Sequence, residues 1–259
     1  MNKLETSFIH YLESIGYSQF NKAEKEIDNI QEGTTILAFK YKSGALIAGD
    51  RRLTTADLRV ADDHLIKVLQ VDDYSAIAIS GAAGRGFKLA ELFIKEVRHY
   101  EKIVGRPLSI KAKAKTLSFL VEKNMIDAKH GLIVSPILAC YDTKIREGIV
   151  FNYDISGFAH MKSETRRPFA TGGSGSSSAE TILQKFFQDK DSKYTDKREA
   201  IKLAIDCIET ASHISVATVG LNLDEGVYPI IKTISEDGVK DVTKEDLEII
   251  LQDEWSANY

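Results

Sequence analysis

The chain has 259 residues, 43% hydrophobic and 28% charged, which fits one large domain or two small ones and can bury a core without disulfide or metal staples. Its 34 basic and 38 acidic side chains leave a net charge of −4, which argues against nucleic acid as the main partner, since phosphate binding needs a clustered basic surface. Two distant cysteines (Cys140, Cys207) form no disulfide framework or paired-cysteine metal site, no run approaches the roughly 18 apolar residues of a membrane span, and Met1–Thr6 has no secretory apolar stretch, so a soluble chain in a reducing cytoplasm is expected.

Residues 1–33 stand apart from the rest. Leu4, Phe8, Leu12 and Ile15 recur at helical spacing, followed by a polar, weakly patterned stretch over Ser18–Asp28. Taken alone, this is either an ordinary amphipathic helix on a flexible lead or a removable, regulatory arm. From Thr34 the period becomes strand-like: Thr35–Tyr41 is rich in β-formers, Lys42-Ser43-Gly44 reads as a turn, and Ala45–Gly49 as a second strand. A second pair, Leu65–Val71 and Tyr74–Ser80, turns at Asp72-Asp73, and Gly81–Gly84 breaks the pattern. Two long helices follow. The first carries Phe87, Leu89, Leu92, Phe93, Val97 and Tyr100 as an apolar stripe and stops at Gly105-Arg106-Pro107. The second runs from near Ser109 to about Lys129, with Leu117, Leu120, Val121 and Met125 on one face and Gly131 as its C-cap. Strands return at Leu132–Tyr141 and Gly148–Tyr153. The stretch Thr171–Ser178 opens a helix through Phe187, and Asp196–Ala211 forms another. Val227–Ile234 is a last strand before an acidic helix that starts near Thr243. Hairpin-joined strands imply antiparallel sheets, and helices arriving in pairs suit a layer on each outer face.

Several residues invite a chemical reading. If Lys42-Ser43-Gly44 is a three-residue loop, residue 41 faces 45, Thr34 lies opposite Arg52, and Asp50 is its diagonal neighbour on the same face; a one-residue slip would reverse that facing. Asp50 and its arginines either finish a strand at the surface or enter a site. Lys67, in an otherwise apolar strand, either snorkels at an edge or is buried beside an acid; held by Asp50, it would be a charge placed to tune a nucleophile. Thr171–Ser178 could cradle a phosphate on backbone N–H groups, but it lacks the Gly-Lys-Ser/Thr ending and the dinucleotide fingerprint, and a flexible turn capped by a serine competes. His10, His64, His99, His130, His160 and His213 show no ligand spacing, so no metal site is expected. Lys111, Lys113 and Lys115 read as a solvated helix face.

Four segments in order carry a resemblance: Gly33-Thr34-Thr35-Ile36-Leu37-Ala38-Phe39-Lys40; Ala48-Gly49-Asp50-Arg51-Arg52 with Lys67-Val68; Ser80-Gly81-Ala82-Ala83-Gly84; and Gly173-Ser174-Gly175-Ser176. Together they resemble proteasome β-type subunits of the bacterial and archaeal kind, more loosely from residue 34 to about 240. The resemblance implies an α+β fold, a four-layer αββα sandwich of two antiparallel sheets, known as the Ntn-hydrolase fold. It implies a propeptide over 1–33 and a peptidase domain over 34–259. It further implies a zymogen of a threonine endopeptidase, in which autocatalytic cleavage of Gly33–Thr34 frees the Thr34 amine. A threonine hydroxyl needs an adjacent base, and a terminal amine with a pKa of about 8 can serve. By position, Asp50 and Lys67 match the charge pair beneath the nucleophile, Ser174 the serine beside the amine, and the Gly81 N–H the oxyanion donor, with Arg52, Ser215 and Thr218 around them. Leu53, Leu65, Leu69, Ile79 and Ala83 match the primary specificity pocket. All five are apolar, which implies cleavage after bulky apolar residues. The strand at Gly81 and the segment after Arg52 would grip an extended peptide.

The family's Asp-Ser-Ala-Ser/Thr-Gly aligns with Ser215-Val216-Ala217-Thr218-Val219, so Ser215 stands where an aspartate supports the serine and the amine; a register using Glu209 breaks the match at Ala217-Thr218. An active protease and a structural, catalytically impaired or unprocessed β subunit are therefore both open, with a small-substrate amidase of the same nucleophile class as a third possibility. The implied partners are further β subunits in seven-membered homo-oligomeric rings, α-type subunits, an ATP-dependent unfoldase ring and unfolded protein substrates. No cofactor, nucleic acid or membrane is implied.

Overall fold

A computed structural model of the chain describes residues 34–55, 59–162 and 167–257, so the expected propeptide, with Gly33, lies outside the described residues. Two five-stranded sheets carry the fold. The first contains β1 (Thr35–Tyr41), β2 (Gly44–Gly49), β10 (Phe169–Gly173), β11 (Ile230–Ser235) and β12 (Gly238–Asp241), in the order β10-β1-β2-β11-β12. The second is β5 (Val68–Asp72), β6 (Ser75–Gly81), β7 (Val134–Asp142), β8 (Glu147–Tyr153) and β9 (Ala159–Met161), in sequence order. A small ribbon of β3 (Leu53–Thr54) and β4 (Val60–Asp62) leaves the first sheet after β2. The helices are α1 (Ala83–Val104), α2 (Ile110–Lys123), α3 (Met125–Ala128), α4 (Ser176–Asp189), α5 (Lys197–Ile214) and α6 (Lys244–Ala257).

Strand alternation explains the layering. Along β1, Ile36 and Ala38 face the second sheet and pack with Ile47, Val68, Ala78 and Ile137. Leu37 and Phe39 face outward, onto Leu183 and Phe187 of α4, Ile208 of α5 and Leu247 of α6. On the far side, Ile77, Ile79 and Leu138 pack against Phe93 and Val97 of α1 and Leu117 of α2. Strands buried on both faces read as continuous apolar runs, as β1, β2 and β6 do. The result is the expected four-layer αββα sandwich of antiparallel sheets. Among the described residues no helix is long and apolar enough to cross a membrane.

Several expectations are corrected. The first hairpin closes on a two-residue turn, Lys42-Ser43, with Tyr41 opposite Gly44 and Ile36 opposite Gly49, one residue away from the expected register. This register sets a large side chain against a small one, Leu37 on Ala48 and Ala38 on Ile47. It also brings Thr35 level with Asp50, whose N–H donates to the Thr35 carbonyl at 3.0 Å, instead of setting Thr34 opposite Arg52 with Asp50 as its diagonal neighbour. Strand β5 begins only at Val68, leaving Lys67 just ahead of it. The second long helix breaks at Asn124, whose side-chain amide donates to the Leu132 carbonyl at 3.0 Å, and resumes as the short α3 up to Ala128. The last strand starts at Ile230 and forms a hairpin with β12. Lys113 is buried rather than solvated: it pairs with Asp72 and donates to Ser75 Oγ at 3.2 Å.

Candidate active site

Thr34 is the residue before β1, at the end where β1 pairs with β10 and Thr35 lies opposite Gly173. It is buried. Its N–H donates to Ser174 Oγ at 3.3 Å, and its carbonyl oxygen lies 3.4 Å from both Ser174 Oγ and the Gly175 N–H. Gly173 makes this approach possible. Its φ is +87°, and a Cβ there would come within 2.0 Å of the Thr34 carbonyl oxygen. The segment Thr171–Ser178 is therefore not a serine-capped turn. It ends β10, turns at Ser174-Gly175 over Thr34, and starts α4 without a side-chain cap.

Asp50 follows β2 and is fully buried. Its Oδ1 accepts from the Thr35 N–H at 2.8 Å and from Lys67 Nζ at 2.9 Å. Its Oδ2 accepts from the Arg52 N–H at 2.9 Å and the Val219 N–H at 3.3 Å. Lys67, only 3% exposed, also donates to the Arg52 carbonyl, and its own carbonyl accepts from the Ile79 N–H at 3.0 Å. The lysine does not snorkel. A pair this deep is tolerable because each carboxylate oxygen accepts two hydrogen bonds and the ammonium donates to both the carboxylate and a backbone carbonyl.

A second arm closes over the site from the end of α5. Ser215 caps that helix, and its Oγ lies 3.0 Å from Ser174 Oγ. Thr218 is buried, with Oγ1 at 2.7 Å from Thr35 Oγ1. Arg52 spans the gap between the two arms. Its Nε and Nη2 donate to Asp63 Oδ1 and Oδ2 at 2.7 and 3.0 Å, and Nη1 donates to the Val216 carbonyl at 2.9 Å. The hydrogen bond from Arg52 holds the Asp63 carboxyl below the usual aspartate range, and the same bond raises Arg52. Thr34, Asp50, Lys67, Ser174, Arg52, Ser215 and Thr218 are thus one connected network.

The remaining expected residues lie on β3, β5, β6 and the segments beside them. Gly81 ends β6 with φ +94°, where a Cβ would meet the Ile133 carbonyl oxygen at 2.1 Å. Leu53 in β3, Leu65 ahead of Lys67, Leu69 in β5 and Ala83 at the start of α1 are half-buried. Ile79 is buried with Leu69 on the α1 side of the second sheet. The sequence reading missed Asp63, the Thr35 hydroxyl and the Val219 N–H. Thr35 could have been found by strand alternation once the correct register was known. Asp63 lies in the polar run Asp62-Asp63-His64, which has no period to mark it. Among the described residues, no group of three or more histidine, cysteine or acidic side chains could hold a metal.

Chemically, the network presents a hydroxyl residue, a serine on its nitrogen, and a buried charge pair fastened to the next residue. In a continuous chain the Thr34 nitrogen is an amide with no basic lone pair; as a chain terminus it would be an amine with a pKa of about 8.

Known proteins share this sequence pattern. The profile of the family described as "Proteasome subunit" matches residues 30–222. "Proteasome subunit beta" of Nocardia farcinica (strain IFM 10152) is 39% identical over 227 residues, which cover 86% of this chain and 76% of that protein. "Proteasome subunit beta 1" of Streptomyces avermitilis is 35% identical over 224 residues, covering 85% and 76%. "Proteasome subunit beta" of Parafrankia sp. (strain EAN1pec) is 36% identical over 221 residues, covering 85% and 77%.

Proposed function

The chain belongs to the proteasome subunit family, and from that membership we propose that it is a catalytic β subunit of a proteasome core, a threonine endopeptidase made as a zymogen. The observation that carries this reading is the placement of Thr34 at the head of β1, with Ser174 on its nitrogen and the buried Asp50–Lys67 pair on the amide of Thr35.

Cleavage of Gly33–Thr34 removes the propeptide, residues 1–33, and frees the Thr34 amine. The neutral amine accepts the hydroxyl proton as Thr34 Oγ1 attacks a peptide carbonyl. The positive charge of Lys67 favours the neutral amine and the developing alkoxide alike. The Gly81 N–H donates to the oxyanion, a contact whose loss typically costs about 2.7–4 kcal/mol. The protonated amine passes its proton to the leaving nitrogen, and water then hydrolyses the Thr34 ester. Leu53, Leu65, Leu69, Ile79 and Ala83 give an apolar pocket and a preference for bulky apolar residues before the cut. Its relatives are named as subunits, and we place this chain in seven-membered β rings capped by α-type rings and fed with unfolded protein by an ATP-dependent unfoldase. A closed chamber would keep an unselective peptidase harmless in the cytoplasm.

The test is a peptidase assay on the assembled particle, using fluorogenic peptides that differ only in the residue before the bond. Wild type should prefer leucine or phenylalanine there, and Thr34→Ala should fall to background. Faster cleavage after arginine would refute the pocket assignment, and undiminished cleavage by Thr34→Ala would refute the nucleophile. A second reading rests on Ser215. A carboxylate at that position would only accept hydrogen bonds, forcing the Ser174 hydroxyl to donate to it and leaving a Ser174 lone pair for the amine. A serine forces neither direction. If this costs too much, the subunit is structural, and the wild-type particle would be as inert as Thr34→Ala.

A further inference from the structure

We propose that Asp63 is a positioning residue for the peptidase reaction: by holding the Arg52 guanidinium it fixes the Ser215–Val216 segment, and with it Ser174, beside Thr34. The proposal rests on the role given to Thr34 above. The geometry supplies each link. Asp63 takes two parallel N–H···O bonds from Arg52, at 2.7 and 3.0 Å, an arrangement that fixes orientation as well as distance. The guanidinium's remaining arm, Nη1, donates to the Val216 carbonyl at 2.9 Å. That carbonyl belongs to the exposed middle of a short turn: Val216 is 68% exposed, while Ser215 is anchored by its N–H to the Ala211 carbonyl at 2.8 Å and by the Thr218 N–H on its own carbonyl at 3.0 Å, so Arg52 adds the hold from the side of the charge pair. Ser215 Oγ is in turn 3.0 Å from Ser174 Oγ, whose oxygen accepts the Thr34 N–H.

The backbone of Arg52 belongs to the charge site as well. Its N–H donates to Asp50 and its carbonyl accepts from Lys67. Arg52 therefore ties the Asp50–Lys67 half of the network to the Ser174–Ser215 half, and Asp63 determines where its side chain points. Because Ser215 carries no charge, its hydroxyl has no ionic partner to orient it and depends on how its backbone is held. An asparagine at 63 keeps the shape but turns an NH2 toward one guanidinium donor, so the fork cannot close.

The test uses the assembled, processed particle and counts kcat per processed chain, with Thr34→Ala as the blank. Asp63→Asn should lower kcat about tenfold and leave KM for a short peptide unchanged, a loss in the range measured for coupled neighbours. In a Ser215→Ala background the same change should cost less than about twofold, because the hydroxyl it positions is gone. Wild-type kcat in Asp63→Asn, a loss carried by KM, or equal losses in the two backgrounds would overturn the proposal while an inert Thr34→Ala keeps the nucleophile assignment intact. Activity in Thr34→Ala would instead overturn the reading beneath it. If Asp63→Asn does not assemble, Arg52→Lys, which opens the fork and keeps the charge, is put through the same cycle. Failure of both to assemble gives the pair a folding role and also overturns the proposal.

Discussion

Asp50 and Lys67 form a buried charge pair in which each charge is compensated by the other and by backbone groups. Each carboxylate oxygen has two donors, and the ammonium has Asp50 and the Arg52 carbonyl. Removing one partner strands the other charge in the interior. Lys67→Met should therefore cost about 3–5 kcal/mol in chemical denaturation and abolish peptidase activity; a variant of unchanged stability would show that the pair is not confined as described. Asp63 behaves differently, being closer to solvent. Its carboxyl titrates below the usual aspartate range because Arg52 bonds to its charged form. A depressed folded value means the contribution is complete above the unfolded pKa and lost as pH falls through the folded one. The difference in melting temperature between wild type and Asp63→Asn should then be constant through neutral pH and shrink only below about pH 4, the unperturbed aspartate value. A difference that vanished near pH 6 would mean another group controls it.

At the scale of elements, the same pairing recurs between β5 and α2, where Lys113 reaches Asp72 and Ser75 beneath the helical layer. Along β5, Asp72 is five residues from Lys67, about 17 Å at strand rise. Lys113→Met should accordingly lower stability by about 3–5 kcal/mol yet leave kcat per assembled, processed chain unchanged; a parallel loss of kcat would link the two charge pairs. Lys113 also shows where reading a sequence falls short. Lys111, Lys113 and Lys115 look like one run of charge, but residues two apart on a helix lie about 200° from each other, so the middle lysine faces inward when its neighbours face water. The long helices were legible by their period, with Ser109 capping α2 and Gly105 ending α1 in a left-handed conformation, and seven strands by their β-rich apolar runs between turns, whereas the short strands β3, β4, β9, β10 and β12 carry no such run and went unread. The first hairpin's register was not, since Lys42-Ser43-Gly44 can supply a two- or a three-residue turn and the choice rests on packing between β1 and β2. Thr34, Asp50, Lys67 and Ser174, which the fold brings near one another, were singled out through the order of their motifs. Asp63 was not, because it meets Arg52 through a tertiary contact across the β3–β4 ribbon.

The molecule as a whole brings its site residues together from distant parts of the chain. Thr34 heads β1, Asp50 follows β2, Lys67 precedes β5, Ser174 follows β10, and Ser215 ends α5. The two stacked sheets hold these ends in place, and the outer helical layers supply the caps and loops. Large apolar side chains remain exposed on the outer helices and the turns beside them, including Ile103, Phe119 and Ile126, surface that fits coverage in a larger particle. In the proposed reaction Thr34 works as the first residue of a trimmed chain. Intact-mass spectrometry of the subunit from peptidase-active particles should find a chain that starts at Thr34, with Thr34→Ala retaining residue 33, whereas an active particle whose subunit still carries residue 33 would contradict the proposed nucleophile.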